Sequence, residues 1–433
     1  MDAQAYYITA KELYARGPRD IPDELVSSKH LIYSSPAALA FNSPGAQGFG
    51  VKRAGLAVPG SVMLLVSPGC CGRNTTILGD EGGYGDRIFY LEMAETDIVS
   101  GRHLARIPEA VREICSVLDE QPSAVMICIT CVDALLGSDM ERVCRKVEQE
   151  TGVPARACYM YALTREGVRP PMAAVRQTVY SLLEPAPKDP HAVNLLGFFA
   201  PLAEDCELRD IFRKAGLTHV RELGGGMTFS EYKRMAEANF NLVLDPEARF
   251  AAEDLSKRLS IPYIEISRFY QIDKTARQYE LLGQALGLRF DDAGPRKEAE
   301  EAADAFRRKF SGLSFSVGET LNANPFELSL ALVRCGCTVR ELFGTVGPDS
   351  FRYLRQLSVL SPETRIYSNL SPTMLFYGGS DSRIDVTLGR DAACYHAGTP
   401  NVCWNDERQP FGYRGLVRLL AAISQALEGG SAA

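Results

Sequence analysis

Short apolar runs alternate with amphipathic stretches along the chain, and the first third shows this pattern most clearly. The runs at 61–66, 87–93 and 123–130 are rich in Val, Ile, Leu and Met and have the length of buried strands. The stretch between the last two, at 101–120, places apolar residues at helical spacing. Strands that alternate with helices are typical of an α/β fold with parallel sheets.

A second helix and a further strand follow the run at 123–130. Ser138 and Glu141 form a capping-box pattern at the start of this helix, and Gly152 is placed to end it. The apolar segment at 155–160 then predicts the next strand of the same sheet.

Two more alternating units follow a proline-rich polar segment at 184–191, which we interpret as a linker. The second unit has a helix whose apolar face is formed by Leu208, Ile211, Phe212 and Ala215. A strongly charged helix at 294–310 precedes the third unit; we interpret it as a solvated connector, with an interface role as the alternative. The sequence thus predicts three Rossmann-like, doubly wound parallel-sheet domains, with boundaries at 1–186, 187–293 and 294–433.

Composition and charge exclude several classes of protein. Of the 433 residues, 46% are hydrophobic and 23% are charged, as in a soluble globular protein, and the net charge of -7 argues against a general nucleic-acid surface. An apolar run long enough to span a membrane is absent, and the N-terminus lacks a secretory pattern, so we predict a cytoplasmic protein. The chain also lacks the G-x-x-x-x-G-K-[ST] motif, so we expect no nucleotide in it.

The twelve cysteines carry the most informative chemistry. Disulfides are rare in the cytoplasm, so these residues are buried thiols, metal ligands or reactive thiols. Cys70 and Cys71 follow the strand at 61–66, and Cys131 follows the strand at 123–130. Because the carboxyl ends of parallel strands line the ligand crevice of a doubly wound sheet, these thiols can meet at one site. A pair of thiolates on loops is how a protein approaches an iron–sulfur cluster.

The other cysteines favour simpler interpretations. Cys128 and Cys131 form a C-x-x-C pair, but Cys128 lies inside an apolar strand, which disfavours a thioredoxin-like site. A zinc site usually has two close pairs, and the other close pair, Cys335 and Cys337, lies far along the chain. A packing role is favoured for Cys115, Cys144, Cys158 and Cys206. Cys394 and Cys403 flank His396 and could form a ligand set, but packing or a loop role is favoured for them.

Five segments, in order, resemble motifs of the component 1 type oxidoreductases, the family of the nitrogenase molybdenum–iron protein. They are LLVSPGCCGRNTT (64–76), EMAETDIVSG (92–101), ITCVDALLGSDMERV (129–143), MAEANFNLVLDP (235–246) and FGYRGLVRLLAAI (411–423). Each motif is weak alone, but five in the same order are specific.

The resemblance implies three similar α/β domains around a central cleft and a metal cluster at the interface of two subunits. It places Cys71 and Cys131 at cluster-ligand positions, with Cys70 as an additional or replacement thiol. Two such thiols per chain, from two copies or from this chain and a related one, give the four ligands of a [4Fe–4S] cluster. The resemblance also implies that electrons come from a separate, ATP-driven reductase.

The departures from the family are equally informative. The first of three cysteines that bind the larger nitrogenase cluster is expected near Gly45, where this chain has none. The positions of the cysteine and histidine that hold the catalytic cofactor correspond to Asp245 and Phe411. Reduction of dinitrogen at a site in this chain is therefore not expected.

We therefore predict a subunit of an iron–sulfur-dependent reductase that acts on a small molecule or a tetrapyrrole-like substrate. Asp245 and His396 are the candidate proton donors, although a helix N-cap is an equal alternative for Asp245. The main alternative function is a non-catalytic partner or a cofactor-assembly scaffold for another component 1-like subunit. A third alternative is a cluster-free binding protein on the same fold, in which the cysteines are only buried thiols.

Overall fold

The computed structural model describes residues 4–26, 35–37, 55–69, 84–159, 171–224, 226–380, 383–406 and 408–429, except for the side chains at 131, 134, 171 and 172. In chain order the strands are β1 Ile8–Thr9, β2 Val62–Ser67, β3 Ile88–Glu92, β4 Val125–Ile129, β5 Ala155–Tyr159, β6 Asp189–Leu196, β7 His219–Glu222, β8 Ala238–Val243, β9 Tyr263–Glu265, β10 Ser314–Val317, β11 Thr338–Phe343, β12 Arg365–Tyr367, β13 Val386–Leu388 and β14 Asn401–Val402.

The helices lie between these strands, as the alternating pattern predicts. In chain order they are α1 Ala10–Arg16, α2 Glu95–Ser100, α3 Arg102–Val117, α4 Cys131–Leu136, α5 Met140–Thr151, α6 Pro171–Tyr180, α7 Glu207–Lys214, α8 Phe229–Lys233, α9 Arg249–Leu259, α10 Ile272–Leu286, α11 Ala293–Phe310, α12 Pro325–Arg334, α13 Phe351–Leu360, α14 Arg390–Tyr395 and α15 Gly412–Gly429.

The chain divides into two compact units, and one of them, formed by 47–201 and 217–266, contains two parallel sheets. Their strand orders are β3-β2-β4-β5 and β7-β6-β8-β9. Every residue of β2 and β4 is buried, because these central strands are covered on both faces. One face of the first sheet packs against α3 and α5, and the other shares a core with α6 and α9.

The other unit, formed by 1–46, 202–216 and 267–433, contains the third sheet, with strand order β1-β12-β11-β10-β13-β14. All neighbouring strands of this sheet are parallel except β1, which pairs antiparallel with β12 at the edge. Helix α11 buries Ala299, Ala303 and Phe306 and contacts α15. The interpretation of the charged segment as a purely solvated connector is therefore wrong for this face of α11.

The predicted α/β fold with three largely parallel sheets is confirmed. The apolar runs at 61–66, 87–93 and 123–130 form β2, β3 and β4, and the helical face at Leu208 is buried on α7. The domain boundaries at 186/187 and 293/294 stay predictions. Among the described residues, no helix is long and apolar enough to cross a membrane.

The capping box predicted at Ser138 is wrong. The N-cap of α5 is Asp139, whose carboxylate accepts the Arg142 N–H at 3.0 Å. The Ser138 hydroxyl instead donates to Asp133 Oδ1 at 3.0 Å. A nearby buried carboxylate competes for this hydroxyl, and that contact cannot be read from local sequence. Gly152 ends the helix in the left-handed conformation, as predicted.

Candidate functional site

The loops that carry the candidate cluster ligands begin at neighbouring strands of the first sheet. Strands β2 and β4 are parallel and hydrogen-bonded, with Val66 opposite Ile129. In the order β3-β2-β4-β5 the chain reverses direction across the sheet between β2 and β4, which is its topological switch point. The loop after β2 leads to Cys70 and Cys71, and Cys131 begins α4 directly after β4. Cys70 and Cys71 lie outside the described residues, so their convergence with Cys131 stays a prediction.

A buried histidine–carboxylate pair supports the helix that Cys131 begins. Asp133, in the first turn of α4, has only 1% of its surface exposed, as has His103 on α3. His103 Nε2 lies 3.0 Å from Asp133 Oδ1, which also accepts the Ser138 hydroxyl. The other ring nitrogen, Nδ1, lies 3.1 Å from the main-chain oxygen of Asp97 on α2. Through these contacts, α2, α3 and α4 are joined beside Cys131.

Two buried polar atoms near Cys131 have no hydrogen-bond partner among the described residues. They are Thr130 Oγ1, one residue before Cys131, and Asp133 Oδ2, two residues after it. Buried polar atoms in native proteins are nearly always hydrogen-bonded, so orphaned ones indicate an unseen water, ion or ligand. A water or a bound group could complete these two atoms, as it could other buried side-chain atoms that lack a partner among the described residues. In the described part of the chain, which excludes Cys70, Cys71 and the side chain of Cys131, no three His, Cys, Asp or Glu side chains are arranged to hold a metal.

Large apolar side chains are exposed on the same helices. On α4, Leu135 is 79% and Leu136 is 51% exposed, and on α2, Val99 is 89% exposed. Because His103 contacts both Asp97 on α2 and Asp133 on α4, these helices are held close together. Clustered exposed apolar residues often mark a protein–protein interface.

The second sheet places Asp245 at its own switch point, between β6 and β8. The Asp245 carboxylate accepts the Glu247 N–H at 2.8 Å and is the N-cap of a short helix at Pro246–Ala248. Gly197, at the end of β6, allows this loop to approach closely, since a Cβ there would lie 2.8 Å from the Asp245 nitrogen. The structural role considered for Asp245 is thus present, and its role as a proton donor stays a prediction.

The third sheet places His396 in a buried polar cluster. His396 Nε2 lies 2.7 Å from Oε2 of Glu341, which is buried on β11, and the Tyr377 hydroxyl donates to the same carboxylate at 3.0 Å. Burial and the Glu341 carboxylate raise the pKa of Tyr377. These contacts hold the His396 ring in place, and its role as a proton donor stays a prediction. Cys394 and Cys403, which flank it, are exposed free thiols.

The switch point of the third sheet, between β10 and β13, is filled by a carboxylate from the chain itself. Asp391 accepts the main-chain N–H groups of Glu319 at 2.6 Å and Thr320 at 3.1 Å, as well as the Thr320 hydroxyl at 2.6 Å. A Cβ on Gly318 would overlap this carboxylate, so glycine is required there. The anion-binding N–H groups at this position are therefore already occupied.

The C-terminal motif GYRG is explained by packing. A Cβ on Gly412 would overlap the buried Glu207 carboxylate, which accepts the Tyr413 N–H at 2.7 Å. Glu207 also accepts the Arg414 N–H at 3.3 Å, so its carboxylate caps the first turn of α15, and it accepts the Tyr279 hydroxyl at 2.9 Å. Phe411 is buried, and its correspondence to the family's cofactor histidine stays a prediction.

Six of the described cysteines are buried, whereas Cys394 and Cys403 are exposed, so a packing role is wrong for these two. Cys128 and Cys158 are buried on β4 and β5, where they oppose each other across the sheet. Burial raises the pKa of Cys144 and Cys337 to about 12, so these thiols stay protonated near neutral pH. A protonated, buried thiol is a poor nucleophile and a poor metal ligand.

Three residues near Cys131, namely His103, Thr130 and Asp133, were missed in the sequence. His103 shares a helix face with Ile107, Val111 and Ile114, which are all buried. The position of His103 on an apolar helix face could therefore have indicated a buried histidine in the sequence. Its contact with Asp133, 30 residues away, had no local signature.

Comparison with known proteins agrees with this architecture. The model of the nitrogenase component 1 type oxidoreductases matches residues 46–428. Among curated proteins, the chain is similar to nitrogenase iron-molybdenum cofactor biosynthesis protein NifE. It is 31% identical to the Klebsiella pneumoniae protein over 234 residues, which cover 50% of each chain. It is 27% identical to the Mesorhizobium japonicum protein over 364 residues, which cover 78% of this chain and 71% of that protein.

Solved structures show the same fold. A structure described as nitrogenase Cp1 at pH 6.5 superimposes with a TM-score of 0.69 at 17% identity, and covers 88% of this chain and 92% of that one. The structure of nitrogenase Cp1 at pH 5 gives a TM-score of 0.66 at 16% identity, with 95% and 90% covered. With five ordered motifs, three parallel sheets and a family match over most of its length, the chain belongs to the nitrogenase component 1 type oxidoreductases.

Proposed function

We propose that this chain is the cluster-carrying subunit of a nitrogenase-like reductase. It would use Cys131 together with Cys71, or with Cys70, to bind an iron–sulfur cluster that it shares with a second copy or a related component 1-like chain. The cluster, of the [4Fe–4S] type, accepts and passes on single electrons. An ATP-driven iron protein would supply the electrons, and a small-molecule or tetrapyrrole-like substrate would receive them.

The observation that carries the proposal is the origin of the two cysteine loops. The loops leave the carboxyl ends of β2 and β4, which are neighbours on either side of the switch point. Ligands of open α/β sheets bind in the crevice at this position. Thiolates are the usual ligands of such clusters, and the two orphaned polar atoms beside Cys131 are consistent with a bound group.

The exposed apolar residues support a partner chain close to the cysteines. Leu135 and Leu136 follow Cys131 on a six-residue helix, and Val99 lies on the neighbouring α2. A cluster with two thiolates per chain needs ligands from a second chain. Burial of these side chains against that chain would stabilise the complex by about 1.5–3 kcal/mol for each one fully covered. The described cysteines are free thiols, which is consistent with a reducing, cytoplasmic location.

Iron and sulfide analysis of anaerobically purified protein tests the proposal. We expect about four iron atoms per two chains and an electron paramagnetic resonance signal after reduction. Cys131→Ala should lose iron and signal, and Cys71→Ala should do the same unless Cys70 is the ligand. Cys115→Ala is the matched control. Cys115 is half-buried near the C-terminus of α3, which packs against the same sheet and precedes the amino end of β4.

Two results would contradict cluster binding. One is parent protein that contains no iron or sulfide when it is prepared with its natural partner chain. The other is iron content that is the same in Cys131→Ala, in the double variant at Cys70 and Cys71, and in Cys115→Ala. Either result would leave a cluster-free binding protein on the same fold.

A cofactor-assembly scaffold is the second candidate function, and the similarity to NifE favours it. Asp245 and Phe411 occupy the positions of the family's cofactor ligands, and neither is a thiol or an imidazole. A scaffold would release its iron to a metal-free component 1-like chain when the two are mixed. A reductase subunit would instead keep its iron and, with ATP and the iron protein, oxidise the reduced iron protein in the presence of substrate.

A further inference from the structure

Residues on three helices converge on the turn of chain that begins at Cys131. His103 and Asp133 are both buried and lie 3.0 Å apart, and Ser138 donates to the same carboxylate oxygen. The main-chain N–H of Ser138 also donates to the main-chain oxygen of Asp133, at 3.1 Å. The first turn of α4 is therefore held at both its side chain and its backbone.

The contacts of the His103 ring determine which nitrogen carries a proton. A main-chain carbonyl oxygen can only accept, so Nδ1, at 3.1 Å from the Asp97 oxygen, carries hydrogen. The Nε2–Oδ1 contact at 3.0 Å joins the ring to the Asp133 carboxyl group. Because both ring nitrogens are engaged, the ring cannot rotate without breaking contacts to α2 and α4.

Two buried polar atoms without a hydrogen-bond partner among the described residues lie beside the contact of His103 with Asp133 and are consistent with a bound group there. Thr130 is 6% exposed and Asp133 is 1% exposed, yet Oγ1 of Thr130 and Oδ2 of Asp133 have no partner among the described residues. An unpaired buried polar atom destabilises a fold by about 1–3 kcal/mol. Both atoms lie within two residues of Cys131 along the chain, where a group bound to its sulfur could satisfy them.

We propose that His103 and Asp133 are positioning residues for the metal-binding thiol of Cys131, and that the Thr130 hydroxyl donates a hydrogen bond to the group bound there. This proposal rests on the proposed function. The pair fixes the turn that presents Cys131, as histidine–carboxylate contacts fix metal ligands in other proteins. A hydroxyl that donates to a cluster sulfur stabilises the reduced, more negative form, so it raises the reduction potential.

The variants separate orientation from hydrogen bonding. His103→Ala and Asp133→Ala remove the support, whereas His103→Gln keeps a donor near the Nε2 position and Asp133→Asn keeps the side-chain shape. Thr130→Val removes the hydroxyl with little change of volume, and Thr130→Ser keeps it. The matched control is His219→Ala, which breaks another histidine–aspartate contact, 2.6 Å to Asp189, on the second sheet.

The readouts are iron retention against a chelator, the paramagnetic resonance spectrum and the reduction potential of the anaerobic protein. We expect His103→Ala and Asp133→Ala to hold iron ~10-fold more weakly, with a changed spectrum, and His103→Gln and Asp133→Asn to recover most of the loss. Thr130→Val should keep its iron but show a lower reduction potential, and Thr130→Ser should match the parent.

Suppose that Cys131→Ala loses its cluster but His103→Ala, Asp133→Ala and Thr130→Val all keep the iron retention, spectrum and potential of the parent. That result would overturn this proposal. Failure of the proposed function is a separate outcome, in which Cys131→Ala itself keeps the iron. If one of His103→Ala and Asp133→Ala does not fold, the other variant and Thr130→Val decide the matter. If the reduction potential of Thr130→Val equals that of the parent, the hydrogen bond from Thr130 is ruled out. If His103→Gln loses as much iron as His103→Ala while His219→Ala retains it, a donor at the Nε2 position does not account for the positioning role.

Discussion

Glu327 is a buried carboxyl group whose ionisation should destabilise the unit that contains the third sheet as the pH rises. It lies in the first turn of α12 with none of its surface exposed. Its carboxyl group accepts the Tyr270 N–H at 3.1 Å and the Gln271 side-chain amide at 2.8 Å. Burial outweighs these hydrogen bonds and raises the pKa of Glu327 to about 7.

The pH dependence follows from the difference between the folded and unfolded pKa values. Below an unfolded pKa of 4.5, Glu327 is protonated in both states and its effect on stability is fully favourable. Between pH 4.5 and about 7 the unfolded chain ionises while the folded one keeps its proton, so stability is lost as the pH rises. The two values differ by about 2.5, and each pKa unit corresponds to about 1.4 kcal/mol, so the loss is about 3 kcal/mol.

The sequence provides a local probe for this measurement. Its one tryptophan, Trp404, donates its indole N–H to the Tyr270 hydroxyl at 2.7 Å, and the Tyr270 main chain contacts Glu327. Denaturant unfolding followed by tryptophan fluorescence at pH 5 and pH 8 therefore reports on this neighbourhood, even when the two units unfold in separate steps. Glu327→Gln cannot ionise, and part of the loss has already occurred at pH 5, so the parent should lose about 2–3 kcal/mol relative to this variant between the two pH values.

The control is Glu280→Gln, which changes an exposed glutamate on α10. Its stability relative to the parent should be the same at pH 5 and pH 8. A difference between the parent and Glu327→Gln that does not change with pH would refute the reasoning, because it would show that Glu327 is ionised in the folded protein at both values.

Three further substitutions test other parts of the molecule. Gly318→Ala should destabilise the third sheet by at least about 3 kcal/mol in denaturant unfolding, since the new Cβ overlaps Asp391; parent-like stability would contradict this. Asp245→Ala should reduce stability by about 1 kcal/mol through loss of the N-cap, and a larger drop in turnover than in stability would support its role as a proton donor. His396→Ala should reduce stability by about 3 kcal/mol, because the Glu341 carboxylate is left buried without its imidazole partner; an unchanged unfolding midpoint would show that water replaces the ring.

The regular architecture could be predicted from the sequence because burial leaves a local pattern. The run VMLLVS of β2 is buried at every position, and the face of α3 recurs at Ile107, Val111 and Ile114. Helix ends were less predictable. Ser138 fits a capping box in sequence, but its hydroxyl is taken by Asp133, so Asp139 caps α5 instead.

The candidate site could be predicted only in part. The positions of Cys70, Cys71 and Cys131 after apolar runs indicated the strand ends, because that placement depends on local pattern. The adjacency of β2 and β4 depends on strand order, which the chain does not encode locally. The contact of His103 with Asp133 depends on how α3 packs beside α4, so it required the structure.

The three sheets differ in what occupies their switch points, and this difference bears on the proposed function. In the third sheet the carboxylate of Asp391 already accepts hydrogen bonds from the main-chain N–H groups of Glu319 and Thr320. In the second sheet the Asp245 carboxylate is engaged by the Glu247 N–H. At both positions the chain supplies its own ligand, so an inorganic group would have to displace an existing hydrogen bond.

Although the second sheet also buries unpartnered polar atoms, Asn194 Oδ1 on β6 and Asn241 Nδ2 on β8, the switch point of the first sheet is not filled in this way in its described part. Around its switch point, Thr130 Oγ1 and Asp133 Oδ2 are buried without partners, and the thiols predicted to bind metal follow the two strand ends. Unsatisfied polar atoms are tolerated where a bound group completes them, and they are costly elsewhere. A cluster beside Cys131 would complete the two unpartnered atoms of the first sheet. The proposed cluster should accordingly be sought beside Cys131.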